Sequence, residues 1–424
     1  MRSSRRAPAP RGVARTSSAT GLTAVCLSLA AAPAVATDYQ FNPRVELAGG
    51  YDDNVNLAVT GANKIGSSDA MADARVDLVA RESNWQWRLT PEARGTWYPS
   101  HSALDSNGEF LYLNGERSGA RYKLSLDGYG SSQSLITSYL PTANIGTGLG
   151  TPEPGTTLGT PASIRQNLGY ISPSYTLEMT PRSSLEFGVG YTDATYSQQL
   201  QGGYVNYENV TGSAGVVLRA TPNGSFTLRA TGADFRPNLG LTAATYGAEV
   251  QWDGKLSATK QYYLRIGAGQ TDFSGTVVGA PNVSNSTSWS GGAGTQWTYS
   301  LTEIFVDATR NVAPTAQGYA VIQDQLRLRV ARRFTPRFAG FLGVRTIYDD
   351  PLRGAAAPTV RAQHYNYATT GFEWRIQRGF SLVGAYNFTD YRNGGPSGQA
   401  NSILVSLVYE PHRPAEGPAI TVGY

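Results

Sequence analysis

Cysteine and histidine are scarce in this chain, and long apolar runs are missing after its N-terminal segment. The 424 residues include one cysteine, Cys26, and three histidines. Because Cys26 lies within a segment that we expect to be removed, the remaining chain has no thiol for a disulfide or a thiolate metal site. From Thr37 onward no apolar run approaches 18 residues, which excludes helical membrane spans.

The few histidines also argue against an enzyme. His101 falls in a predicted loop, His364 at a predicted strand start and His412 in the C-terminal tail, so their positions suggest no common site. Neither a Gly-x-Ser-x-Gly nor a His-Glu-x-x-His pattern accompanies them. We therefore predict no enzymatic activity, no catalytic residue, no metal site and no cofactor.

Residues 1–36 have the pattern of a secretory signal peptide. An arginine-rich start precedes an apolar stretch over about Gly21 to Ala32, and Ala34-Val35-Ala36 offers a small-x-small cleavage site before Thr37. The segment contains five arginines and no acidic residue, so its removal changes the formal charge from +4 to −1. The mature chain therefore gives no reason to expect a nucleic-acid partner.

Tyrosine, tryptophan and glycine are abundant, with 25, 7 and 48 residues. This composition, with few helical patterns, is typical of an all-β chain with many turns. The stretch from Gly318 to Asp349 shows the repeating pattern of strand, turn and strand most clearly. Ile322, Leu326, Leu328 and Val330 alternate with polar or charged residues, and Thr335-Pro336-Arg337 then reverses the chain. We interpret it as a β-hairpin with one apolar and one charged face.

Units of this kind recur from Asn42 to Glu410 and give about 18 strands, within a range of 16 to 20. The first strand is predicted over Pro43–Leu57. Short breaks alternate with longer connections, of which the longest is the loop 133–163. An even number of antiparallel strands with tight turns at one end and long loops at the other is typical of transmembrane barrels of the Gram-negative outer membrane. We predict such a barrel for residues 37–424; a soluble propeller is the competing architecture.

Aromatic and charged residues divide between the two faces of the predicted strands. Trp85, Trp87 and Trp97 share one strand parity, as do Trp289 and Trp297, and their spacing fits two aromatic girdles around an apolar band. The opposite face would line the lumen. The candidate lumen-facing charges are Arg229, Glu249, Asp253, Arg265, Arg327, Arg329, Glu373 and Arg375. They could set the selectivity of a pore or brace the wall as ion pairs.

The sharpest local motif is Tyr51-Asp52-Asp53-Asn54-Val55, which follows Asn42-Pro43-Arg44-Val45-Glu46-Leu47. This stretch resembles the opening strand of the outer-membrane porin-like families associated with exopolysaccharide gene clusters, the EpsL/VpsM type. The resemblance implies a barrel that passes a growing polysaccharide across the outer membrane, with periplasmic export proteins as partners. Asp52, Asp53 and Asn54 could also bind a hard cation, or simply form a polar strand end.

Two further features bear on function. Tyr129, Tyr365 and Tyr367 are predicted inside, where they could stack on sugar rings or belong to the rim. The terminal aromatic residue for barrel assembly could be Tyr409 or Tyr424. Our leading hypothesis is a pore for exopolysaccharide export. The alternatives are a general or substrate-selective porin for small solutes, and a structural or adhesive barrel that uses the loop 133–163.

Overall fold

The computed structural model describes residues 37–58, 63–134, 164–197, 204–239, 241–275, 285–315, 317–352, 362–393, 395 and 397–411. The predicted signal peptide and nearly all of the loop 133–163 lie outside these residues, as do His412 and Tyr424. Every strand belongs to the compact unit that begins at Asp38.

The described residues form eighteen antiparallel β-strands and one short 3₁₀ helix, Ser102–Leu104. The strands are β1 (Asp38–Asp52), β2 (Ser67–Arg81), β3 (Trp85–Trp97), β4 (Ser106–Ser118), β5 (Tyr122–Ser134), β6 (Arg165–Thr180), β7 (Ser183–Tyr196), β8 (Tyr207–Thr221), β9 (Gly224–Pro237), β10 (Thr242–Ser257), β11 (Lys260–Ser274), β12 (Ser286–Thr298), β13 (Thr302–Pro314), β14 (Ala320–Arg333), β15 (Phe338–Pro351), β16 (Gln363–Gln377), β17 (Phe380–Asn393) and β18 (Ser397–Tyr409).

Each strand pairs with its neighbours in the sequence, and β1 closes the sheet by pairing with both β2 and β18. The closing register runs from Val45 opposite Tyr409 to Asp52 opposite Ser402. Closure satisfies the backbone groups of the two strands that would otherwise be edges, which a bilayer cannot do. The predicted barrel and its eighteen strands are therefore confirmed.

The connections between strands differ in length at the two ends of the barrel, as predicted. At one end all eight connections contain two to four residues, whereas at the other end seven of the nine are longer. The predicted hairpin is confirmed: β14 pairs with β15, and the turn contains Phe334 to Arg337. The predicted first strand, Pro43–Leu57, is wrong at both ends, because β1 begins at Asp38 and a turn starts after Asp52.

The outer face of the barrel is apolar and the inner face is polar. On β11, Leu264 and Ile266 point outward and are 60% and 67% exposed, while Arg265 between them points into the lumen. Trp97 and Trp289 lie near the long-loop end of the outer face, and Trp297 lies near the short-turn end. An apolar band between two aromatic girdles is the surface that lipid requires. The chain is thus an outer-membrane barrel surrounded by lipid.

No helix in the described ranges is both long and apolar enough to cross a membrane.

Candidate functional site

All eight charged residues proposed for the lumen lie on strand faces opposite the exposed apolar side chains. Glu249 and Glu373 are 9% and 3% exposed, although both are charged residues on the inner wall of the barrel. Their outward-facing neighbours Val250 and Phe372 are 44% and 39% exposed. The inner wall is therefore a charged surface in which side chains contact one another.

Four of the inner-wall charges form a row across β7, β9, β10 and β11. Arg229 donates to Glu249 at 2.7 Å and to Glu186 at 3.3 Å, and Arg265 lies 3.8 Å from the second oxygen of Glu249. Arg229 reaches Glu186 across β8, where a Cβ atom added at Gly215 would lie 3.0 Å from the Leu228 carbonyl oxygen and 3.4 Å from the Cβ atom of Arg229. The row braces the wall and presents alternating charge to the lumen.

A second group joins β11, β13 and β14. The Arg327 guanidinium donates to one oxygen of Asp307 at 3.0 and 2.6 Å, and the Tyr263 hydroxyl donates to the other oxygen. The guanidinium carbon of Arg327 also lies 5.6 Å from the centre of the Phe305 ring. Asp307 is 3% exposed, so this carboxylate depends on its partners for solvation.

The remaining predicted charges lie nearer the short-turn end. Asp253 on β10 accepts hydrogen bonds from Gln251 at 2.8 and 2.9 Å. Arg329 is on the inner face of β14, and Glu373 and Arg375 are on the inner face of β16. The eight residues thus do not form one site but lie along one arc of the wall, from β9 to β16.

Sequence reasoning missed two parts of the charged wall. Arg345 on β15 lies opposite Arg327 and is 8% exposed. On the far wall, Arg94 of β3 contacts Asp73 at 2.9 Å and Glu92 at 2.8 Å. The signal was present, because all of these residues have the strand parity of the lumen face.

The long-loop end of the barrel is the extracellular mouth in barrels of this kind. It is crossed by a group of packed apolar side chains, which we call the mouth cluster. Tyr196 and Tyr204 stack with ring centres 5.0 Å apart, and Tyr207 and Phe235 are 5.4 Å apart. The cluster reaches from β6 to the end of β15, strands nine positions apart in a ring of eighteen. Its buried members are Ile164, Leu168, Ala194, Tyr196, Tyr204, Tyr207, Phe235, Ala243, Ala320 and Leu352.

The turn between β13 and β14 supports the mouth cluster. Gly318 has φ +83°, and a Cβ atom there would lie 2.9 Å from the Leu239 carbonyl oxygen and 3.3 Å from the Val205 side chain. Glycine is therefore required both by conformation and by close approach. Burial, with a smaller contribution from Asp349, raises the pKa of Tyr319 in this turn to about 12. Connections that are four to six strands apart in the ring thus meet at the mouth.

The tyrosines predicted inside lie on the inner face. Tyr365 and Tyr367 pack with Ile347 and Tyr391 near the mouth. On the other wall, Tyr129 lies opposite Tyr112, with ring centres 5.1 Å apart. Both groups narrow the lumen from its sides.

The motif Tyr51–Val55 forms a turn that fastens the barrel closure. The Asp52 carboxylate accepts from the backbone N–H of Asn54 at 2.7 Å, and the Asn54 amide donates to the Gln399 carbonyl oxygen at 2.7 Å. Asp53 accepts from the backbone and side chain of Asn401 at 2.8 and 2.7 Å. The polar residues of the motif thus hold the first strand to the last.

A second loop packs against this turn. Val55 and Tyr98 are fully buried together, and Leu104 packs on them. Burial raises the pKa of the Tyr98 hydroxyl, and the nearby Asp69 and Asp52 carboxylates raise it further. Within the described ranges no group of three or more histidine, cysteine, aspartate or glutamate residues could hold a metal ion. His101 and His364 lie in separate places, on the β3–β4 loop and on β16.

Comparisons with known proteins find solved structures only at low sequence identity. No family model and no curated protein matches the chain. A BenF-like porin from Pseudomonas fluorescens Pf-5 is 10% identical, with coverage of 88% of this chain and 99% of that one and a TM-score of 0.46. OccK2 (OpdF) of Pseudomonas aeruginosa in complex with glucuronate is 9% identical, with coverage of 88% and 98% and a TM-score of 0.44. BauA, the ferric preacinetobactin receptor from Acinetobacter baumannii, is 10% identical, with coverage of 88% and 81% and a TM-score of 0.43.

Proposed function

We propose that this barrel is a selective outer-membrane pore for small polar solutes. The observation that carries the proposal is the mouth cluster, in which residues from β6 to β15 pack against one another across the extracellular opening. A passage with packed side chains across its mouth is narrower than the barrel that encloses it. Such an opening suits solutes of one or a few rings better than a continuous polymer.

The charged inner wall supports selectivity within this pore. Guanidinium and carboxylate groups alternate along the wall at ion-pair distances of 2.7 to 3.8 Å, as in the row Glu186, Arg229, Glu249 and Arg265. Rings of charged side chains set which ions enter a pore, because they attract ions of the opposite charge and repel ions of the same charge. The arc that holds Arg327, Arg329 and Arg345 is rich in cations and would favour an anionic group on the solute.

Export of an exopolysaccharide stays a prediction that rests on the resemblance of Tyr51–Val55. In this structure those residues fasten β1 to β18, which is a structural role that any barrel could use. A strain that lacks the protein and secretes normal amounts of polymer would contradict export. A structural or adhesive role rests on the loop 133–163 and also stays a prediction.

The test of the proposal is conductance of the purified barrel in a planar bilayer. We expect steady ion current and a reversal potential that shifts toward cation selectivity in Arg327→Gln/Arg329→Gln, since two lumenal cations are lost. Arg117→Gln is the matched control, because this arginine lies on the outer face of β4 and its removal should leave the reversal potential unchanged. A folded protein that conducts no current would overturn the proposal.

A further inference from the structure

The outer face of the barrel has an uneven distribution of charge. Near the short turns, which face the periplasm in barrels of this kind, the only charged residues at outward-facing positions of the described strands are Arg117, Lys260 and Arg332. All three are cations. They lie on β4, β11 and β14 and are spread around the barrel instead of forming one patch.

Each of these cations lies beside an aromatic side chain of the periplasmic girdle. Arg117 is directly opposite Trp85 in the strand register, and Lys260 is opposite Trp297. The Lys260 ammonium is 5.9 Å from the centre of the Trp297 ring and 5.6 Å from that of Tyr299. The Arg332 guanidinium is 5.7 Å from the Phe334 ring, which is 57% exposed. Cation and ring are therefore placed together at the lipid–water boundary.

The extracellular half of the outer face differs. Its outward-facing charges are mainly acidic, and three of its arginines are held by aspartates on the same surface: Arg236 by Asp234, Arg310 by Asp324 at 2.7 Å, and Arg392 by Asp390 at 3.4 Å. The acidic residues at these positions are Glu109, Asp193, Glu208, Asp234, Asp272, Asp324, Asp350 and Asp390.

We propose that Arg117, Lys260 and Arg332 form a belt that binds the anionic headgroups of phospholipids in the periplasmic leaflet. Guanidinium and ammonium groups donate hydrogen bonds to phosphate oxygens, and basic residues at a membrane surface attract anionic lipid. The position of the belt favours lipid over a protein partner, because the cations point away from the lumen and lie among rings that contact acyl chains. No outward-facing carboxylate of the described strands competes with the headgroup at this level.

The experiment measures lipid retained by the full-length barrel, refolded in detergent and mixed with equal amounts of phosphatidylglycerol and phosphatidylcholine. Native mass spectrometry counts the lipids that stay bound. The test variant is Arg117→Gln/Lys260→Gln/Arg332→Gln, and the matched control is Arg165→Gln/Arg236→Gln/Arg392→Gln, which removes three outward-facing arginines from the extracellular half. Each variant is run unheated on a gel. Migration at the position of the folded wild-type protein shows that the variant forms the barrel.

We expect the wild-type protein and the control to prefer phosphatidylglycerol, and the test variant to lose that preference. Each lost cation should weaken retention roughly fivefold at low salt. Lys260→Gln alone should show one such step and serves if the triple variant does not fold. An unchanged lipid preference in the test variant overturns the proposal, and so does an equal loss in the control, since bulk charge would then explain both.

Discussion

At the scale of the residue, the two sides of one strand meet different solvents. Leu326 is 45% exposed on the outer face of β14, whereas Arg327 beside it is held by Asp307 on the inner face. Outward side chains are stabilised by contact with lipid, and inward ones by ion pairs and hydrogen bonds. The same residue type therefore stabilises the barrel at one position and destabilises it at the adjacent position.

Leu328→Arg tests this difference, because Leu328 lies on the outer face near the middle of β14. Arginine there should lower the free energy of unfolding in lipid by about 2 to 4 kcal/mol, since the charge enters the apolar core of the bilayer. The measurement is urea unfolding of the barrel in lipid vesicles. The control is Ser290→Arg, on the inner face of β12 opposite Gly267, which should change stability far less. Equal costs for the two variants would contradict the assignment of faces.

At the scale of the element, the turn after β1 connects the first strand of the barrel, β1, with the last, β18. Asn54 is fully buried, accepts from the backbone of Ala58 and donates to the carbonyl oxygens of Ala58 and Gln399. Gln399 belongs to β18, which closes the barrel against β1. The turn is therefore a fastening of the closure and not only a link between β1 and β2.

Asn54→Ala should lower the free energy of unfolding by about 1 to 3 kcal/mol, because it leaves buried backbone groups without their hydrogen bonds. Thermal or urea unfolding in lipid measures the change. Asn56→Ala is the matched control: its side chain also hydrogen-bonds the backbone of the same loop, at Asn63 and Ile65, but it is less buried. If the control destabilises the barrel as much, closure through Asn54 is not the cause.

The sequence predicted the strands better than their connections. Alternation of apolar and polar residues is a local property, so the hairpin of β14 and β15 could be recognised without knowledge of its neighbours. The end of β1 could not, since its turn depends on Asp53 and Asn54 contacts with β18, more than 340 residues away in the chain. The predicted strand Pro43–Leu57 therefore extends past Asp52 into residues that form a turn only when the barrel is closed.

At the scale of the whole molecule, the lumen follows from contacts that no single hairpin contains. The residues of the charged row belong to four strands, and the mouth cluster joins walls on opposite sides of the ring. Strand parity indicates which residues face inward, as for Arg327 or Tyr365. It does not indicate how far an inward side chain or turn reaches across the opening, and that distance determines the width of the pore.

Removal of the mouth cluster should therefore widen the pore. Tyr204 and Leu352 are 1% and 0% exposed and contribute to the cluster from the β7–β8 and β15–β16 connections, on opposite sides of the mouth. We expect Tyr204→Ala/Leu352→Ala to raise single-channel conductance and to admit larger polyethylene glycols, as measured by their exclusion in a planar bilayer. The folded mobility of an unheated sample on a gel shows that the barrel is retained.

Tyr191→Ala is the control for this change, because Tyr191 lies on the outer face of β7 and is 39% exposed. It should leave both the conductance and the size cut-off as they are in the wild-type protein. An unchanged cut-off in the double variant would mean that the narrowest part of the pore lies deeper, at the level of Arg229, Arg327 and Arg345. A wild-type cut-off large enough for a polymer chain would instead favour the export hypothesis, since the mouth cluster would then leave a wide passage beside it.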